Sequence, residues 1–238
     1  RGAAHTAFPL TPTSLFSQNL SNLMDSLEAA SQDDFLAVLG NIPQIDRFPY
    51  FDDLPHRFRT GEDCNELSAD IYYENSDSLG GIRIATTEVS FLLSLRGRIG
   101  KNQGSGASFG LSRENPIPDY LVLDPSEKED IRRAIEAYNR SIDSLINQAN
   151  EGLDRPKWVM ADLASVFENL EGGMNEGGLS VGLSHLSGGI FSLDGLTFSA
   201  RGNAVIANEF MRAINQKADR GARLPLFSLP DYPGVIFP

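Results

Sequence analysis

The chain opens on a polar start signal followed by apolar residues at helical spacing. Thr11-Pro12 reads as an N-cap with proline in the first turn, and Leu15, Phe16, Leu20, Leu23, Met24 and Leu27 then fall on one face. This predicts a helix from about Pro12 to Ala30. After Asp34, Phe35 to Leu39 is a short unbroken apolar run closed by Gly40-Asn41-Ile42-Pro43, which predicts a strand buried on both faces. The clearest helix starts at Asp124-Pro125-Ser126-Glu127, a capping-box pattern. It carries Ile131, Ile135, Tyr138, Ile142, Leu145 and Ile146 on one stripe as far as about Asn150. Trp158 to Ala161 predicts a second strand, Leu163 to Leu170 a short helical turn, and the glycine-rich Gly172 to Gly189 a loop or hairpin. Ser199 caps a last helix in which Ala204, Ile206, Ala207, Phe210, Met211 and Ile214 face inward. Helices alternating with buried strands give an α/β rhythm.

Between about 44 and 118 the periodicity weakens. Pro49, Pro55, a polar run from Gly61 to Asp77 and a Gly/Ser stretch from Gly97 to Gly110 read as a long insertion without a core of its own. Within it Thr87 to Leu95 predicts a short helix, whose Phe91, Leu92, Leu93 and Leu95 serve either as core or as an acyl-chain contact. Phe48, Tyr50 and Phe51 follow the C-terminal end of the first strand, where parallel sheets bind ligands, although core packing is the plainer use. Gly100, Gly104, Gly106 and Gly110 match neither a Walker loop nor Gly-x-Gly-x-x-Gly, and no strand feeds them, so they read as a lid or connector.

Composition narrows the function classes. The 238 residues suffice for one α/β core, and 41% hydrophobic with 22% charged residues is an ordinary globular balance. A formal net charge of −12 argues against nucleic acid as a partner, because a polyanion is repelled and few counterions are released. No apolar run reaches the roughly 18–20 residues that span a bilayer, and the first residues lack a signal-peptide hydrophobic stretch. The compartment stays open on these grounds. Cys64 is the single cysteine and cannot form an internal disulfide. Asp52, Asp53 and His56 lack a metal-ligand spacing because Pro55 breaks any helical register, so no metal is expected, and His5 has no partner motif.

The stretch Phe191 to Asn215, FSLDGLTFSARGNAVIANEFMRAIN, holds the candidate chemistry. It resembles the last block of the SGNH (GDSL-type) ester hydrolases, in which Asp-x-x-His-Pro precedes the final helix. Leu10-Thr11-Pro12-Thr13, Gly40-Asn41-Ile42-Pro43, Phe48-Pro49-Tyr50-Phe51 and Pro116-Ile117-Pro118-Asp119-Tyr120 resemble further blocks in family order. The resemblance implies a three-layer α/β/α sandwich with a parallel sheet in order 2-1-3-4-5, flavodoxin-like, of which this chain carries the fourth and fifth strands. It implies activity on carboxylic esters of lipids or acylated glycans, no cofactor, and a secreted or cell-envelope location. No Gly-Asp-Ser occurs in the sequence. With the first three strands unrecognised and Arg1 in place of an initiator Met, the expectation is the C-terminal two-thirds of one larger domain, incomplete here.

In such a triad the His deprotonates the Ser and the Asp orients the imidazole. The resemblance places Asp194 at the acid position and Thr197 at the position of the His, and a hydroxyl has no basicity near neutral pH. Asp194 has a second reading as a turn or Asx-cap before the helix. His185, nine positions earlier on the glycine-rich loop, is either an exposed loop residue or a surrogate base. Two functions follow: an ester hydrolase whose chain is inactive alone, or a catalytically silent binding module of the envelope that keeps the hydrolase cleft.

Overall fold

A computed structural model describes residues 10–31, 35–52, 54–55, 57–59, 68–75, 81–102, 106–217 and 223–235. His5, Asp34, Asp53, His56, Cys64 and Gly104 lie outside them. In chain order the elements are α1 (Thr13–Ala30), β1 (Ala37–Gly40), α2 (Pro49–Asp52), β2 (Arg57–Arg59), β3 (Ser68–Asp70), β4 (Tyr72–Asn75), β5 (Gly81–Ile84) and β6 (Ser90–Phe91). There follow β7 (Val122–Leu123), α3 (Pro125–Ala149), β8 (Trp158–Ala161), α4 (Leu163–Glu171), β9 (Met174–Glu176), β10 (Leu179–Val181) and α5 (Ala200–Lys217). The architecture of the described residues is mixed α/β: helices with one parallel strand pair, β1 with β8, and small antiparallel pairs. The chain divides into two compact units, one of Arg1–Leu10 and Asp46–Ile131, the other of Thr11–Ile45 and Arg132–Pro238.

The second unit is organised by β1 and β8, whose register sets Ala37 beside Trp158, Val38 beside Val159, Leu39 beside Met160 and Gly40 beside Ala161. Successive side chains point to opposite faces, so the pairing sorts them. Ala37, Leu39, Trp158 and Met160 pack with Phe16, Leu20 and Met24 of α1 and Ile142 and Ile146 of α3. Val38, Val159 and Ala161 pack with Phe210 and Ala213 of α5. Trp158 is fully buried and its indole N–H donates to Glu28 Oε1 at 2.6 Å, which satisfies the one polar atom that its burial would strand. The strand expected at Phe35 to Leu39 runs instead from Ala37 to Gly40 and is half-buried throughout. Among the described residues its second edge pairs with no strand, so full burial is not reached.

Gly40 is dictated by packing. A Cβ there would stand 2.9 Å from Leu163 Cδ1 and 3.3 Å from Phe210 Cζ, so a side chain at this position forces those two to repack. Helix α1 begins one residue later than expected. Pro12, at ψ 137°, is the N-cap, its carbonyl accepts from Phe16 N at 3.0 Å, and Thr11 gives no side-chain cap. The capping box of α3 forms as expected: Glu127 N donates to Asp124 Oδ1 at 2.9 Å and Asp124 N to Glu127 Oε2 at 3.2 Å. The glycine-rich stretch after α4 contains the β9–β10 hairpin.

In the first unit the segment expected as a coreless insertion has a buried cluster, which includes Ile71, Tyr73, Val89, Phe91, Leu95, Phe109, Ile117 and Val122. Thr87 to Leu95 is not a helix. Ser90 and Phe91 pair antiparallel with Leu123 and Val122, and Leu93–Leu95 is a single 3-10 turn. Val89, Phe91, Leu93 and Leu95 are buried, and so is Ser90. Phe91, Leu93 and Leu95 are therefore core. Phe48 is buried as well, and Tyr50 packs against the cluster. Gly100 and Gly110 flank a hairpin-like loop in which Gly100 N donates to Phe109 O at 2.8 Å and Phe109 N to Lys101 O at 3.0 Å.

Gly40→Val is expected to destabilise the protein by about 1–3 kcal/mol through overpacking, read as a lower urea midpoint. An unchanged midpoint would show that Leu163 and Phe210 do not pack on Gly40 as described.

Candidate functional site

Both parallel strands of the second unit end at polar residues that lock to each other. Asn41, after β1, donates to Asp162 Oδ1 at 2.7 Å, and Asp162, after β8, caps α4 through Ser165 N at 3.2 Å and Ser165 Oγ at 2.7 Å. Asn41 Oδ1 accepts from Ala164 N at 2.8 Å. Burial pushes the Asp162 pKa up, but the hydrogen bonds from Ser165 and Asn41 outweigh it and hold the carboxyl below its ordinary value. These groups are spent on joining two strand ends to a helix start.

The Asp194 loop stands directly before α5. Phe191 and Phe198 form an antiparallel bridge, Ser192 N donates to Thr197 O at 2.8 Å, and Gly195, at φ +67°, takes the left-handed position that closes the turn. Phe191, Phe198 and Phe167 of α4 cluster beneath it, with ring centroids 5.4–6.3 Å apart. Ser199 caps α5 as expected, accepting from Gly202 N at 3.0 Å and donating to Gly189 O at 2.7 Å. Gly202 lets α5 approach this loop, since a Cβ there would lie 2.2 Å from Ile190 O.

Asp194 is satisfied entirely within its own turn. Its Oδ1 accepts from Ser192 Oγ at 2.7 Å, Leu196 N at 2.9 Å and Thr197 N at 2.8 Å, and its Oδ2 accepts from Thr197 Oγ1 at 2.8 Å. Ser192 Oγ and Thr197 Oγ1 are 2.6 Å apart, so three short oxygen contacts share two hydroxyl protons. Burial raises the Asp194 pKa, and the donors from Leu196, Ser192 and Thr197 together overcome it, holding the carboxyl well below the usual carboxylate range. The arrangement is an Asx turn and also aims the side chain of residue 197 at the carboxylate.

His185 comes back to this loop. Its Nε2 donates to Leu193 O at 3.1 Å, and its Nδ1 is buried. The residue next to it, Leu186, sits at φ +63°, and Ser187 N donates to His185 O at 2.7 Å, a tight γ-turn that a non-glycine residue adopts only under strain. The structure thus brings Asp194, Thr197 and His185 to one loop cluster, with the hydrogen bonds to Asp194 coming from residues 192, 196 and 197. Among the described residues no group of three His, Cys, Asp or Glu side chains is placed to hold a metal ion. No described helix is long and apolar enough to cross a membrane.

A feature that the hydrophobic pattern does not reveal borders this loop. Residues 223–228 run along α5 as an extended strap. Asn208, 1% exposed, donates to Phe227 O at 2.9 Å and accepts from Phe227 N at 2.7 Å, while Asn215 binds Leu224 O and N in the same way at 2.9 and 2.8 Å. Seven helical residues advance about 10.5 Å and three residues of extended chain about 9–10 Å, so the spacings match. The strap continues to Pro233, whose carbonyl accepts from Arg201 N at 3.0 Å. Between Pro233, Gly234 and Val235 on one side and Leu193, Asp194 and Ala200 on the other lies a cavity of about 540 Å³. The sequence signal for the strap was two asparagines seven apart in a helix that otherwise favours better helix formers.

Compared with known proteins, the chain matches no family model, no curated protein and no solved structure at a significant level.

The amides of Leu196 and Thr197 are expected to titrate, in two-dimensional NMR, with a midpoint below the ordinary Asp value of about 3.9. Because folding lowers this pKa, the carboxylate's stabilisation of the turn is present above the unfolded value and lost as pH falls through the lower folded one. A midpoint at or above about 4 would contradict the hydrogen-bond pattern. Asn208→Ala should cost about 1–3 kcal/mol by stranding Phe227 N–H and C=O, with faster hydrogen exchange at Phe227 as its local signature.

Proposed function

We propose that this chain is built on the scaffold of the SGNH-type ester hydrolases, a three-layer α/β/α sandwich around a parallel sheet, and that as it stands it does not hydrolyse esters. The observation that carries the reading is the Asp194 loop. A carboxylate three residues before a side chain that it hydrogen-bonds, directly ahead of a capped helix, is the arrangement through which the family delivers its acid and base. The parallel pair β1–β8, with α1 and α3 on one face and α5 on the other, suits the same scaffold. Thr197 occupies the base position and cannot accept a proton near neutral pH. In a serine hydrolase, loss of the base lowers kcat on the order of 10⁶-fold.

A second reading, a silent binding module that keeps the cleft for a lipid or acylated glycan of the cell envelope, is favoured by the cavity next to Asp194. Both readings rest on the same loop, and they part on turnover. The chain should take up no serine-directed fluorophosphonate and should turn over short p-nitrophenyl esters no faster than buffer. Turnover that His185→Ala abolishes would make His185 the base and overturn the inactive reading.

Geometry at residue 197 gives a sharper test. The imidazole introduced by Thr197→His should meet Asp194 Oδ2 and have its pKa raised above the ordinary value of about 6.5, since a nearby carboxylate favours the charged ring. Adding Asp194→Asn should return it to the ordinary value. An imidazole that titrates normally in Thr197→His would remove the main support for the family reading.

A further inference from the structure

One wall of the cavity beside Asp194 is held in place by one residue. Pro233, Gly234 and Val235 form that wall. It is joined to α5 through Arg201 alone among the described residues: the backbone N–H donates to Pro233 O at 3.0 Å, and Nε donates to Tyr232 O at 3.1 Å. Gly234 and Val235 add no hydrogen bond of their own to a described residue. Just upstream the chain is pinned differently. Leu229 is fully buried, Pro230 packs on Gly177 in the β9–β10 turn, and Tyr232 N closes a 3-10 turn on Leu229 O at 3.2 Å. The Tyr232 ring rests edge-on against Phe227, whose backbone Asn208 clamps.

Arg201 sits against the electrostatics of its own helix. It is the second residue of α5, where the positive end of the helix dipole disfavours a cation, and the first turn holds no acidic residue to offset it. Among the described residues no carboxylate pairs with it. Its half-buried guanidinium turns to the strap instead, with Nη1 between Gly189 and Gly234, where a Cβ on either would stand 2.7 and 2.8 Å away. The carbonyls of Tyr232 and Pro233 supply the negative partial charge that this position lacks. Two hydrogen bonds, one of them charge-assisted, make an attachment much weaker than global stability, so the wall opens locally.

We propose that residues 233–235 are a gate of the Asp194 cavity, latched by Arg201 and moving from the pinned turn at Leu229–Asp231, so that the cavity is complete only while the latch is closed. The inference rests on the reading of the Asp194 loop as the candidate site for what it regulates. The latch itself involves neither ligand nor turnover.

The test is native-state hydrogen exchange of the full chain, read by NMR as protection factors. A first-turn amide has no acceptor within its own helix, so protection of the residue 201 amide reports the bond to Pro233 O. This amide is expected to be protected, yet to exchange roughly a hundredfold or more faster than Ala37 N–H, which donates to Lys157 O at 2.8 Å in the β1–β8 sheet. Arg201→Met, which keeps the aliphatic stem, should lower its protection about tenfold or more. Gly234→Ala, which drives the guanidinium aside and leaves Arg201 in place, should act in the same direction. In both variants the Leu224 and Phe227 amides should stay within about twofold, because Asn215 and Asn208 hold them independently. An unprotected residue 201 amide, exchange at the Ala37 rate, protection retained in both variants, or loss of Phe227 protection alongside would overturn the gate. None of these measurements involves residue 197. The gate can therefore fail while the imidazole titration in Thr197→His upholds the family reading, and the reverse.

Discussion

The parallel pairing of Ala37–Gly40 with Trp158–Ala161 is the constraint on which the second unit depends. It joins stretches about 120 residues apart in sequence, so closing it costs chain entropy that only burial on both faces can offset. One face meets that cost with Trp158 and the α1 and α3 side chains, and the other with Val38, Val159, Phe210 and Ala213. The same pairing places Asn41 and Asp162 side by side, and their hydrogen bond fixes the start of α4, whose Phe167 then seats Phe191 and Phe198. The Asp194 loop is thus positioned by a chain of contacts that begins at the sheet.

Asparagine is the residue that ties irregular chain to this frame. Asn139 of α3 donates to Ile42 O at 2.9 Å and accepts from Ile42 N at 2.8 Å, and Asn150 donates to Trp158 O at 2.7 Å while accepting from Lys157 N and Trp158 N. With Asn208 and Asn215, four asparagines stand in for a neighbouring strand, giving a donor and an acceptor to backbone that would otherwise be unsatisfied. A carboxylate or a hydroxyl could not supply both from one planar group. This accounts for residues of modest helix propensity on the inner faces of helices, where a hydrophobic pattern anticipates Ile206 or Met211 and the structure buries Asn208.

The Asp194 carboxylate is held by the turn that contains it. Two backbone amides and two hydroxyls hold the carboxylate, so the loop is complete without an imidazole and its acid is fully employed. With Thr at 197 the interaction is structural. The turn amides and the Phe191–Phe198 bridge set the direction from Asp194 to residue 197, and the Thr197 hydroxyl completes the contact.

The sequence by itself determined the elements whose signals are local: α1, the capping box and stripe of α3, β8, α4 after Asp162, and the Ser199 cap of α5. These depend on spacing within a turn or two, which the chain carries with it. It also marked the Asp194 block, whose residues all lie within a few positions of one another. Only tertiary structure decided the rest. Thr87 to Leu95 reads locally as a short helix, but pairing of Ser90 and Phe91 with Leu123 and Val122, some thirty residues on, makes a strand there and leaves only the 3-10 turn Leu93–Leu95. The stretch read as a coreless insertion has its own core because Ile71, Phe91, Phe109 and Ile117 meet from separated segments. The strap along α5 and the cavity it walls depend on Asn208 and Asn215 reaching residues 19 and 9 positions away, contacts that no local periodicity encodes.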